Sequence, residues 1–80
     1  MMVRSYIYHK RVPLFTWQEH DKNNTLAKFV EDIGWEAIGE SRKEGYTKKV
    51  KDVSIDVVPN FQEEKTYEMV RVTLLYESVL

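Results

Sequence analysis

Arg42, Lys43, Lys48, Lys49 and Lys51 surround Tyr46 within residues 41–51, SRKEGYTKKVK. Cations at that density can neutralise phosphates, and a tyrosine among them offers a ring on which a base can stack. A nucleic acid or a nucleotide is the ligand this chemistry suits. The same composition also describes a solvated hairpin whose lysines keep a strand edge from pairing with other chains, and that use carries the greater weight. A second basic group, Arg4, Lys10 and Arg11, would enlarge the patch only if folding brings the two segments together. The formal net charge of −1 speaks against a protein dominated by non-specific phosphate binding.

Catalytic constellations are sparse. The chain has two histidines and no cysteine, and it lacks a glycine-rich loop opening a helix, so phosphate cradles and nucleophile elbows are missing. Glu19, His20 and Asp21 are adjacent, whereas metal ligands usually come at spacings that share a face; a solvated turn is the expectation. His9, beside Lys10, reads as a surface histidine rather than a general base. Glu36 and Glu40 on an extended chain would stand roughly 13 Å apart, too far for paired acid and base work on one bond. The chain is therefore expected to be no enzyme, and no metal or cofactor is expected.

The elements that position these residues fit one small domain over residues 1–80, with 42% apolar and 31% charged residues. The absence of cysteine excludes disulfides and thiolate zinc sites and suits a reducing cytoplasm. Apolar runs are too short for a membrane span or a signal-peptide core.

Residues 2–10 alternate as a strand, with Val3, Ser5, Ile7 and His9 on one face and Met2, Arg4, Tyr6, Tyr8 and Lys10 on the other; Pro13 ends it or confines its continuation to an edge. TWQE at residues 16–19 matches a capping box and predicts at most one helical turn. A helix of about ten residues should start at the N-cap Asn24, because Leu26, Phe29, Val30 and Ile33 form one stripe. Gly34 should close it. Residues 35–40 then alternate with period two and predict a strand, Val53, Ile55 and Val57 mark another, and residues 66–78 form the last. That last strand is apolar on both faces, which predicts a central position covered on both sides.

The expected fold is thus α+β, a single mostly antiparallel four-stranded sheet in the order β-α-β-β-β with one helix on one face. One helix leaves the second face bare. Tyr67, Met69, Leu75 and some strand-1 tyrosines would lie there, to be met by a second copy of the chain or by a lid of Leu14, Phe15 and Trp17. Trp35 is expected to be buried between the helix end and the sheet; the alternative is the wall of a pocket for a planar ligand.

The run VEDIGWEAIG, residues 30–39, resembles a pattern in a family of small bacterial and phage domains of unknown function, in which a short helix ends in Glu-Gly-Trp-Glu-Leu-Val and leads straight into a strand. Gly34, Trp35 and Glu36 match, Ala37 and Ile38 stand for the two aliphatic residues, and Val30 takes the helical leucine position. Ile33 replaces the glutamate before the glycine, and the stretch after Tyr46 has no counterpart. The resemblance implies a compact sheet with one helix and no assigned activity, so it transfers no functional residue. The expectation at this level is a non-enzymatic cytoplasmic interaction protein, of the kind found among phage and plasmid accessory proteins, acting as a homodimer on a protein partner. Binding of nucleic acid or nucleotide through residues 42–51 is the alternative.

Overall fold

The computed structural model describes residues 2–78, with side chains for residues 3–77. Strand β1 (Met2–Pro13) leads into helices α1 (Leu14–Lys22) and α2 (Leu26–Lys43), followed by strands β2 (Val50–Val58) and β3 (Tyr67–Ser78). The strands form one three-stranded antiparallel sheet in the order β1-β3-β2. β1 and β2 therefore run parallel with β3 inserted between them, and the helical pair bridges them on one face, a split β-α-β arrangement.

Alternation in β3 sets the layers. Val70, Val72, Leu74 and Tyr76 are buried beneath the helices and, with Val12, Ile33 and Ala37, make the core. The register places Tyr6 opposite Leu74 and Tyr8 opposite Val72, so both tyrosines face the helices. The expectation that strand-1 tyrosines lie on the bare face is corrected by that pairing. β3 is central, as its two-faced apolar pattern predicts, but only one of its faces is covered. Trp17 packs against the core on the helix side, so the segment around it forms no lid over the other face.

The expected four-stranded sheet with a single helix is overturned at two places. Residues 35–40, expected as a strand, continue α2, which runs for 18 residues through Gly34 and Gly39. Gly34 does not close the helix. It is a contact residue: a Cβ there would stand 3.1 Å from Ile55 Cδ1, so glycine lets α2 approach β2. Ile33, Ala37 and Ser41 follow at successive fours on the buried side, and this continued stripe outweighs a period-two pattern only six residues long. The strand that the family resemblance implies after Gly34 is helix here.

The second place is α1, nine residues where one turn was expected. Its helical face is weak because tertiary contacts supply its support. Trp17 rests on the core, and the His20 ring stacks on Phe29 of α2 with centroids 4.1 Å apart. Pro13, whose fixed φ and missing N–H suit a helix entrance, sits at the N-cap in place of Thr16. Asn24 is not the cap of α2: its φ of 58° makes it the left-handed link between the helices, a conformation asparagine tolerates, and Thr25 takes the cap position.

One polar chain crosses the core. Ser41 is fully buried, and its Oγ donates to the Ile38 carbonyl at 2.7 Å. A hydroxyl has one proton, so the short contact between Ser41 Oγ and Tyr76 is one in which the tyrosine donates. Among the described residues no helix is long and apolar enough to cross a membrane.

Candidate functional site

An α-helix turns about 100° per residue, so α2 presents three directions. Ile33, Ala37 and Ser41 point into the sheet. Glu36 and Glu40 lie one turn apart on the β1 flank, and Trp35, Ile38 and Arg42 fall on the β2 flank.

The β1 flank is bridged by polar pairing. Lys10 Nζ reaches both carboxylate oxygens of Glu36, at 2.9 and 2.8 Å. The Tyr8 hydroxyl lies beside Glu36 and the Tyr6 hydroxyl beside Glu44. Burial first, and then these carboxylates, push both tyrosine hydroxyls up to about 12. Lys10 holds the Glu36 carboxyl below its usual range against the opposing effect of burial. The expected separation of Glu36 and Glu40 along a strand gives way to one helical turn, with both committed to this flank.

The β2 flank is open. Trp35 is 65% exposed, and Val53 and Val57 on β2 are 42% and 43% exposed. The expectation that Trp35 is buried is corrected: its position on the side of a continuing helix, rather than at a helix end, turns the indole outward. Trp35, Ile38, Gly34, Val53 and Ile55 line an apolar groove of about 200 Å³ with Glu31 at its rim. It adjoins a wider trough of about 670 Å³ that shares Trp35, Ile38 and Val53 and takes its cations from Arg42, Lys48, Lys49 and Lys51. Along the groove runs the outer edge of β2, which has a sheet neighbour on one side only. Among the described residues, no strand pairs with its outward N–H and C=O groups between Asp52 and Val58. A register shift between Val50 and Asp52 bends the strand at the basic end.

Four of the six residues expected to bind a phosphate-bearing ligand therefore converge: Arg42, Lys48, Lys49 and Lys51. Lys43 points elsewhere, 3.1 Å from Glu40. Tyr46 is half-buried and lies outside the trough, lining a smaller cavity of about 120 Å³ with Arg4 and Lys48, its ring centroid 5.2 Å from that of Tyr6 and 5.3 Å from that of Tyr76. The Arg4 guanidinium lies 4.5 Å above its ring. Arg4 thus reaches the loop through Tyr46, but Lys10 is held by Glu36 and Arg11 lies 5.0 Å over Tyr67 on the opposite face.

Tyr67, Met69 and Leu75, expected at a protein interface, are half-buried on the bare sheet face. They do not form one patch. The register aligns His9, Arg71 and Asp56 across all three strands, setting a polar row between Tyr67 and Met69 on one side and Leu75 on the other. Arg71 Nε donates to Asp56 at 3.1 Å, and this guanidinium holds the Asp56 carboxyl below its ordinary range.

His20 is engaged locally, Nδ1 lying 2.8 Å from Thr25 Oγ1. No group of three metal-ligating side chains occurs among the described residues. The residues that sequence reasoning missed are Trp35, Ile38 and Val53 as one surface. The signal was present, since Trp35, Ile38 and Arg42 stand at i, i+3 and i+7, but it counts only once residues 35–40 are read as helix. No family model matches the chain, and no curated protein or solved structure matches it either.

Proposed function

We propose that the protein is a non-enzymatic interaction module that takes an extended protein segment along the β2 edge, the mode in which a strand is added to a sheet. The single observation that carries this is the exposed apolar surface of Trp35, Val53 and Val57 lying directly beside a strand edge that, from Asp52 to Val58, no other strand pairs with among the described residues. Backbone pairing would supply affinity, and alternate side chains of the guest would enter the apolar groove. Arg42, Lys48 and Lys49 would favour acidic residues at one end of the guest. A regulatory protein acting as a homodimer on a protein partner has use for such an edge, and a chain without cysteine suits a reducing cytoplasm.

A second reading has its own observation: an exposed indole stands beside a group of cations, and stacking next to phosphate contacts is how single strands are held. The two readings separate in one titration. Trp35 emission, in a Trp17→Phe background, is followed as nonapeptides with alternating valines and acidic ends, or single-stranded oligonucleotides, are added, with amide exchange of β2 measured in parallel. Strand addition predicts that the peptides shift Trp35 and protect the β2 amides, and that Lys48→Glu with Lys49→Glu weakens this only in part. A salt-dependent response to oligonucleotides alone, lost in that double variant, would replace the first reading with the second. No change in β2 exchange with any peptide, in a chain shown to be monomeric, would sink strand addition.

A further inference from the structure

We infer that the segment filling this edge is β2 of a second copy, paired antiparallel about a two-fold axis through Ile55 to give a continuous six-stranded sheet. The inference rests on the strand-addition reading and names its guest.

The edge is complementary to itself in pattern. Its middle is apolar, with Val53, Ile55 and Val57 on the helix side and the two valines strongly exposed. Its start follows the cations Lys48 and Lys49, and its end leads into a loop carrying Phe61, Glu63 and Glu64. An antiparallel two-fold necessarily lays the start of one strand against the end of the other. The basic end of each copy then meets the acidic loop of its mate, so both charge contacts are attractive. Phe61, 94% exposed in the single chain, lies in that same loop and gains a neighbour by the same move.

Charge also selects the register. Directly opposed residues in an antiparallel pair share a face, and like charges set opposite one another destabilise it. A two-fold through Ser54 would oppose Asp52 of each copy to Asp56 of the other. A two-fold through Asp56 would oppose that aspartate to its own copy. Centring on Ile55 instead opposes Val53 to Val57, Ser54 to Asp56 and Asp52 to Val58. This is the arrangement that covers both exposed valines and keeps the aspartates apart. The axis is then normal to the sheet, so both α2 helices lie on one side and both Trp35 rings flank the seam.

The test uses the intact chain. Sedimentation at micromolar concentration should give a species of twice the 9.6 kDa chain mass, and Val53→Lys or Val57→Lys, each at an exposed site, should weaken association roughly 30-fold or more while the circular dichroism of the fold persists. Because the natural chain has no cysteine, an equimolar mixture of Val53→Cys and Val57→Cys chains should oxidise mainly to the mixed disulfide. A chain that stays monomeric at hundred-micromolar concentration, a dimer indifferent to both lysine variants, or faster self-crosslinking of Val53→Cys alone would each overturn the proposal. If the chain is monomeric yet nonapeptides still protect β2, strand addition stands and the second copy is ruled out as the guest.

Discussion

The two flanks of α2 are built from the same helix over the same sheet, yet one is bridged by polar pairs and the other left as an open apolar groove. On the β1 side, Tyr6, Tyr8 and Lys10 reach up from the strand, and Glu36, Glu40 and Glu44 come down to meet them. Long amphipathic side chains close that gap by burying their stems and pairing their tips. On the β2 side the strand offers Val53, Ile55 and Val57, which end short and apolar, and the helix sets Trp35 and Ile38 against them, with Arg42 turned to the basic trough at one end. Side-chain length and polarity, rather than backbone geometry, decide which flank is finished within one chain. The unfinished flank is the one with a free strand edge.

The comparison breaks most readily through paired truncations. Tyr8→Ala should cost about 2 kcal/mol of unfolding free energy, since it removes a half-buried ring and leaves Glu36 with Lys10 alone. Trp35→Ala, measured in a Val53→Lys background to isolate the single chain, should change stability by less than about 0.5 kcal/mol, as exposed substitutions do. Denaturant titration of both decides the matter; equal losses would mean that the β2 flank is also part of the core.

Alkaline titration sharpens it. Tyr6 and Tyr8 are raised from 10.0 to about 12 by burial and the carboxylates above them. The folded state therefore keeps protons that the unfolded chain has already released. Their stabilisation is fully present below pH 10 and is lost as the pH climbs toward 12. Melting temperature should fall across that window, and Tyr8→Phe should flatten the fall while Trp35→Ala leaves its slope alone. A slope unaltered by Tyr8→Phe would place the alkaline sensitivity elsewhere.

The smallest effect distinguishes the two glycines of α2. A Cβ at Gly39 meets nothing within 4 Å, so Gly39→Ala should raise stability by roughly 0.5–1 kcal/mol through helix propensity alone. Gly34→Ala has the same propensity gain but places its methyl 3.1 Å from Ile55 Cδ1, so its gain should fall short of that at Gly39. Identical gains in thermal melts would reveal slack between α2 and β2.

These residues also mark how far the chain could be read from its letters. β1, β2 and β3 were legible because alternation is a local property, and β3 is central as its two-faced pattern required; the same local signal at residues 35–40 marked a strand where the chain is helix, and it placed the β1 tyrosines on the wrong face. The helix over Leu26, Phe29, Val30 and Ile33 was legible for the same reason. Its length was not, since a glycine followed by a tryptophan fits a helix end as well as a helix interior. The candidate site was half legible. Arg42, Lys48, Lys49 and Lys51 converge as their composition suggested, while Tyr46 turns to Tyr6, Tyr76 and Arg4 instead of to the trough.

By itself the sequence determined the alternation of β1, β2 and β3, the absence of any thiol and the clustering of cations along the chain, because each depends on residue type and spacing along a few residues; it did not determine which face of β1 the helices cover. Only the tertiary structure decided that Gly34 lies inside a helix, that α1 exists and that Trp35 faces outward. Each of those depends on a partner distant in the chain: Ile55 approaching Gly34, Phe29 stacking on His20, and a β2 strand too short in its side chains to cover the indole.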